Sequence, residues 1–165
     1  MSTTATAATA LDVADLQRRV QAVYQQVAEE PRRAYHFELG RELALRLGYP
    51  TDLLDEVPAE ALESFAGVGY FLDLAAPRAG ERVLDLGSGS GTDSFAAATL
   101  VGPTGEVTGV DMTQAQLSKA ERLRAAGSLE HVRFLEGRIE HLPVADACYD
   151  AVISNGVVNL SADKA

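Results

Sequence analysis

Between residues 82 and 154 short apolar runs alternate with stretches whose apolar residues recur at helical spacing. Val83, Leu84 and Leu86 make the first run, residues 107–110 the second, 132–135 the third and 151–154 the fourth, and each predicts a buried strand. Residues 94–101, rich in alanine, and residues 114–126, with Gly127 just past them, predict the intervening helices. Strands and helices in alternation with short links imply an α/β fold, a doubly wound parallel sheet whose ligands sit at the strand C-terminal ends. Upstream the period changes. Val13, Leu16, Val20, Val23, Tyr24 and Val27 recur every three or four positions, an amphipathic helix over 11–30 that Pro31 ends. A second helix is expected over 37–47, apolar on Phe37, Leu43, Ala44 and Leu47 and stopped by Gly48. Tyr49-Pro50 and Val57-Pro58 bracket a short helical piece, and 59–65 reads as another. The organisation expected is a disordered tail over 1–10, a helical cap over 11–76 and a sheet domain over 77–165.

The chemistry gathers where the first strand meets its helix. Residues 82–93 read Arg-Val-Leu-Asp-Leu-Gly-Ser-Gly-Ser-Gly-Thr-Asp, so Asp85, Gly87, Gly89 and Gly91 form the run D-x-G-x-G-x-G. Glycines allow a tight turn and let a ligand lie on the backbone, while the helix behind offers unpaired N–H groups. A dinucleotide fingerprint needs G-x-G-x-x-G, and Thr92 stands where its third glycine would fall. Without a ligand the run would be an ordinary strand-to-helix turn. Asp111 ends the second strand, roughly 20 residues downstream, where a ribose-binding carboxylate is expected. The bland role for it is a helix cap ahead of Thr113. Met112 offers a polarizable face for an adenine. The loop at Gly137, Arg138, Ile139 and Glu140 and the residue Asn155 fall at the ends of the third and fourth strands, so four loops converge on one edge. Gly67 and Gly69 break the chain between cap and sheet, either as a flexible connection or as a loop over the cofactor.

Composition narrows the ligand. The net charge is −10 over 165 residues, which argues against nucleic acid or an anionic membrane surface as partner and favours a small molecule. No apolar run is long enough to span a bilayer, residues 1–10 do not read as a secretory signal, and one cysteine, Cys148, fits a reducing cytoplasm. Cys148, beside a strand, reads as a small core residue. His36, His131 and His141 are scattered, without metal-ligand spacing, and read as surface or cap residues. No catalytic dyad is visible, so no catalytic residue is assigned; no metal is expected.

With these residues in place the chain resembles the class I S-adenosylmethionine-dependent methyltransferases, and among them the arsenite methyltransferases and related small-molecule enzymes. Residues 83–91, Val110-Asp111-Met112-Thr113 with Gln116-Leu117, residues 136–140 with Leu142-Pro143, and residues 154–160 carry the resemblance. It implies a Rossmann-like core and S-adenosyl-L-methionine as cofactor, with the methionine end over the glycine turn, ribose on Asp111 and adenine beside Met112 and Ile139. The cofactor-binding positions so implied are Asp85, Gly87, Ser88, Gly89, Gly91, Asp93, Asp111, Met112, Gln116, Ile139, Glu140 and Asn155, with Tyr24 where relatives place a tyrosine near the cofactor. In the arsenic family cysteine thiolates hold the metalloid. Here Gly156 and Val158 stand where cysteines would follow the fourth strand, and no cysteine precedes the glycine turn, so arsenite is disfavoured as acceptor. The family sheet has seven strands, whereas only four are legible here, and Ser161 reads as the N-cap of a helix without a body. A truncated methyltransferase is expected, with Val152 and Ile153 on an exposed apolar edge. The alternatives are a non-catalytic cofactor-binding or interaction protein that pairs with another chain, or with a second copy of itself, through that bare fourth strand and, more remotely, a dinucleotide-dependent oxidoreductase.

Overall fold

The computed structural model describes residues 13–161; the tail expected over 1–10 and the helix expected beyond Ser161 lie outside the described residues. Four parallel strands, β1 (Arg82–Leu86), β2 (Glu106–Asp111), β3 (Val132–Glu136) and β4 (Ala151–Ser154), form one sheet in the order β3-β2-β1-β4. The register pairs Leu84 with Thr108 and with Val152, and Asp111 with Glu136. The strand order therefore reverses between β1 and β4, and the crevice beside such a reversal is where an open parallel sheet binds its ligand. Seven helices accompany the sheet. Five precede it: α1 (Val13–Glu29), α2 (Arg41–Arg46), α3 (Thr51–Glu56), α4 (Ala59–Glu63) and α5 (Leu72–Ala75). The other two, α6 (Thr92–Val101) and α7 (Gln114–Ala126), are the crossovers, and a 3-10 turn (Val158–Leu160) follows β4.

Burial explains these elements. Val83, Val107, Val110 and Val132 are fully or almost fully inaccessible, and α6 is buried along nearly its whole length with Phe95 at its centre. A helix buried on nearly all sides, with little amphipathic pattern, is what a central crossover requires, and burying a large apolar side chain such as Phe95 contributes roughly 1.5–3 kcal/mol. The same core continues into the cap through Tyr49, Leu54, Leu62 and Phe65. Polar ties cross the junction as well: the Thr92 hydroxyl donates to the Ala61 carbonyl at 3.0 Å, and the Lys119 ammonium donates to Ser64 Oγ at 2.7 Å. Thr92, which interrupts the dinucleotide pattern, thus helps to hold the cap.

Three expectations are corrected. The helix expected over 37–47 is confined to Arg41–Arg46, because Gly40 takes φ 92°, outside helical geometry, and Phe37 instead packs with Tyr24, Tyr35 and His36. β4 is the sheet edge, yet only Val152 is exposed there; Ile153, pointing to the opposite face, belongs to the core. Cys148 is half-buried in the loop before β4, its thiol donating to the Asp146 carbonyl, and is not a core residue. Among the described residues no helix is long and apolar enough to cross a membrane, and no group of His, Cys, Asp or Glu side chains could hold a metal ion.

Candidate cofactor site

The turn after β1 bends so sharply because Gly87 takes φ 73° and its carbon faces the Val157 side chain, which a Cβ would strike at 2.6 Å. The Gly87 and Ser88 N–H groups both donate to the Val110 carbonyl, at 2.8 and 3.0 Å, so the turn is fastened to the end of β2. Asp111 completes the fastening. Its carboxylate accepts the Gly89 N–H at 2.9 Å with one oxygen and the Thr113 N–H at 2.8 Å with the other. The cap reading of Asp111 and a ligand-facing role are compatible, since each oxygen retains a second lone pair.

A single cavity opens between this turn, the ends of β2, β3 and β4, and α1. It is lined by Gly87, Gly89, Asp93, Asp111, Met112, Gln116, Ile139, Glu140 and Asn155, all singled out from the sequence, and by Tyr24. The remaining three candidates stand elsewhere. Asp85 is buried below the turn and accepts the Ser94 hydroxyl at 2.7 Å. Ser88 is buried, with a hydroxyl that has no partner among the described residues, and Gly91 faces the Phe95 and Phe134 rings. Sequence reasoning missed the wall made by α1, where Gln17 and Val20 join Tyr24, and missed Val157 and Leu160 after β4. Helical periodicity marks Val20 as an inward-facing position without saying that it faces a ligand. Residues Ser64, Phe65, Ala66 and Gly67 also line the cavity, so the broken connection between cap and sheet is a cavity wall.

Hydrogen bonds fix the lining. Gln116 is buried, accepts from the Ser90 hydroxyl and donates its amide to the Tyr24 carbonyl at 2.9 Å, while Gln21 donates to the Met112 carbonyl at 2.8 Å. These two glutamines tie α1 across the mouth of the site. Asn155 spends its side chain on the other wall: its Oδ1 accepts the Val68 N–H at 2.7 Å, and its Nδ2 lies 2.9 Å from the Gly69 carbonyl and 3.0 Å from both Asp93 and the Tyr49 hydroxyl. Asn155 therefore orders the loop over the cavity.

The lining is predominantly acidic, with Asp93, Asp111 and Glu140 against one guanidinium, Arg138, which donates to the Gln17 side chain. Asp93 and Asp111 face the cavity and Asp85 lies just behind it, and no ion pair among the described residues reaches any of them. Burial raises the pKa of all three. Asp85 is pushed up to about 8, by desolvation first and the neighbouring Asp93 charge second. Asp93 and Asp111 move the same way by desolvation, against the hydrogen bonds they accept. Such a pocket gains from a ligand that brings positive charge and hydroxyl donors, and it repels phosphate.

A parallel sheet with a glycine turn at its reversal and an acidic residue at the end of the second strand defines a Rossmann-like α/β protein. A family model described as "Methyltransferase domain" matches residues 77–165, more than half of the chain, and the chain belongs to that family, the class I S-adenosylmethionine-dependent methyltransferases. An arsenite methyltransferase of Halobacterium salinarum is 50% identical over 119 residues, 72% of this chain and 30% of the relative. One from Aquipseudomonas alcaligenes is 43% identical over 125 residues, covering 68% and 34%. The crystal structure of an arsenic(III) S-adenosylmethionine methyltransferase from Chlamydomonas reinhardtii superposes with a TM-score of 0.53 at 38% identity, over 77% of this chain and 42% of that one. The chain spans about a third of the length of these two curated relatives.

Proposed function

We propose that this chain is the cofactor-binding part of an S-adenosylmethionine-dependent methyltransferase that transfers a methyl group to a small-molecule acceptor, with arsenite disfavoured. The observation that carries the reading is the pair of desolvated carboxylates, Asp93 and Asp111, unpaired with any cation and facing one cavity beside the glycine turn. They suit a ligand with an ammonium, a sulfonium and ribose hydroxyls, and they disfavour a dinucleotide's pyrophosphate. Asp111 would receive the ribose, Met112 and Ile139 would flank the adenine, and Gly87 and Gly89 leave room for the methionine end. When bound, the cofactor supplies a methyl group on a sulfonium, which becomes a neutral thioether as the nucleophile takes the methyl and gives up its proton to solvent. The chain's own contribution is alignment and exclusion of water, by α1 on one side and the Ser64–Gly67 wall on the other.

The acceptor reading turns on cysteine. Arsenite methyltransferase is the printed function of several relatives, and a soft metalloid needs several thiolates. The single cysteine, Cys148, does not line the cavity.

Calorimetric titration of the chain with S-adenosylmethionine tests the proposal. Saturable binding is expected, weakened about 10- to 100-fold in Asp111→Ala, the loss of roughly 1.4–2.8 kcal/mol that a charge-assisted contact supplies. NAD should not compete. Binding unaffected by the substitution, or displaced by NAD, would overturn the assignment.

A further inference from the structure

A second hollow backs onto the cofactor cavity, and the two share Val20, Tyr24, Ala66, Gly67, Gly156 and Leu160 as their common wall. Whatever lies in the second hollow therefore lies against the occupant of the first. Its own surface is apolar and aromatic, made by Val23, Phe37, Leu43 and Val68. Phe37 is the centre of a ring cluster: it stacks on Tyr35 at 5.4 Å and 27°, stands edge-on to His36 at 4.9 Å, and leans toward Tyr24 at 6.4 Å.

Charge in the hollow is already spent. Arg19 pairs with Asp15 at 2.6 Å and Glu38 pairs with Arg46, with the Arg19 and Glu38 side chains 78% and 66% exposed, so the hydrated charges sit at the rim and the apolar floor does the selecting. No thiol reaches it either, since Cys148 is not among its lining residues. A methyl acceptor must present an electron pair, so a molecule held here brings its own nucleophilic atom on a neutral body. Flat rings gain most from such a surface, because aromatic faces and edges reward a planar partner beyond the area buried.

Resting on the reading above of the first cavity as the cofactor site, we propose that the second hollow is the acceptor site and binds a neutral phenolic ring against Phe37 and Val68. The ring meets the cofactor along the lining that the two hollows share at Val20, Ala66, Gly67 and Gly156. Gly67 itself is closely packed, since a Cβ there would meet the Phe65 ring at 2.3 Å and Asn155 at 2.6 Å.

1-Naphthol is the probe, a neutral fused-ring phenol whose fluorescence is free of tryptophan background in a chain that has none. It is titrated into the 165-residue chain with and without saturating S-adenosylhomocysteine, and S-adenosylmethionine binding is measured by calorimetry on the same preparation. Saturable naphthol binding is expected. Phe37→Ala should weaken it by about tenfold or more. Val68→Asp, at a residue 62% exposed, should weaken it similarly, with S-adenosylmethionine affinity measured on the same variant. Absence of saturable naphthol binding in a chain that binds S-adenosylmethionine would overturn the acceptor site alone. So would equal binding by Val68→Asp, or displacement of naphthol by arsenite. Failure to bind S-adenosylmethionine would instead overturn the cofactor reading, and the second hollow would lose its role as acceptor site with it.

Discussion

Tyr49, just ahead of α3, donates its phenolic hydrogen to Asp93 in the first turn of α6, 44 positions away. The bond joins the helical cap to the helix that starts at the glycine turn, and it lies between buried groups. Burial and the adjacent Asp93 charge push the Tyr49 hydroxyl well above its ordinary range, so it stays a donor at any working pH. Tyr49→Phe keeps the ring contacts with Phe65 and Tyr70 and removes only the hydrogen bond. A loss of roughly 1–3 kcal/mol is expected, the cost of leaving a buried acceptor short of its donor. Urea unfolding should show the midpoint falling with an unchanged slope; an unchanged midpoint would mean that Asn155 alone satisfies Asp93.

The buried carboxyls make stability depend on pH in an uncommon direction. Asp85 holds its proton up to about pH 8 in the folded chain, against roughly 4 when unfolded, because burial and the neighbouring Asp93 disfavour its charge. A group whose pKa is raised on folding contributes stability that is complete below the unfolded pKa and is lost as pH rises through the folded one. Asp93 and Asp111 act in the same sense. From these groups, ligand-free stability should decline between about pH 4 and pH 8. Asp85→Asn, which can still accept from Ser94, should flatten that decline. S-adenosylmethionine, by favouring the ionised carboxylates with its positive charge, should raise the melting temperature more at pH 8 than at pH 5. Thermal melts of both proteins across this range decide it, and equal slopes would refute the role given to Asp85.

At the glycine turn geometry and space act together. Gly87 takes φ 73° and backs onto Val157. Gly87→Ala should cost about 1–3 kcal/mol through the left-handed backbone, with further displacement of Val157. Because Val157 lines the cofactor cavity, S-adenosylmethionine affinity should fall as well. Pairing the change with Val157→Gly removes the atoms that the new Cβ strikes and not the strain at residue 87, so binding should recover more than stability. Equal recovery of both, by calorimetry and melting, would show that the backbone is unstrained.

The sheet and the glycine turn were legible because local pattern determines them. The residues of β4 were read to the last position, Ala151 to Ser154, since a short β-rich run between polar stretches has one way to be buried. The helix from Gln114 to Ala126 was equally plain between Thr113 and Gly127. The cap was harder to read. Phe37 continues a helical spacing with Leu43 and Leu47, yet the backbone leaves helical geometry at Gly40 and the ring is used for contacts with Tyr24 and Tyr35. Tertiary packing overrode the periodicity there. Within the site, spacing marked which residues share the sheet's C-terminal edge. It could not tell Gly87 and Asp111, which line the cavity, from Asp85, which lies one layer below, because both arrangements satisfy the same motif.

Asn155 offers the last test, because it joins two things that the sequence keeps apart. It sits after β4, and its amide holds the loop at Val68 and Gly69 by bonds of 2.7 and 2.9 Å while also touching Asp93 and Tyr49 at 3.0 Å. Its amide donors are all engaged and its oxygen holds the Val68 N–H, so its part in the site is to position the loop. Asn155→Ala should free the Val68 N–H and raise its hydrogen-exchange rate by about tenfold or more, with little change in the exchange of β1 and β2, whose amides are buried in the sheet. Asn155→Asp keeps the acceptor for Val68, loses the donor to Gly69, and sets a second carboxylate against Asp93, so it should disturb the loop more at pH 8 than at pH 5. If Asn155 bound the cofactor directly instead, both substitutions would weaken S-adenosylmethionine while leaving exchange at Val68 as it was. Uniformly faster exchange across the sheet would mark the residue as merely structural.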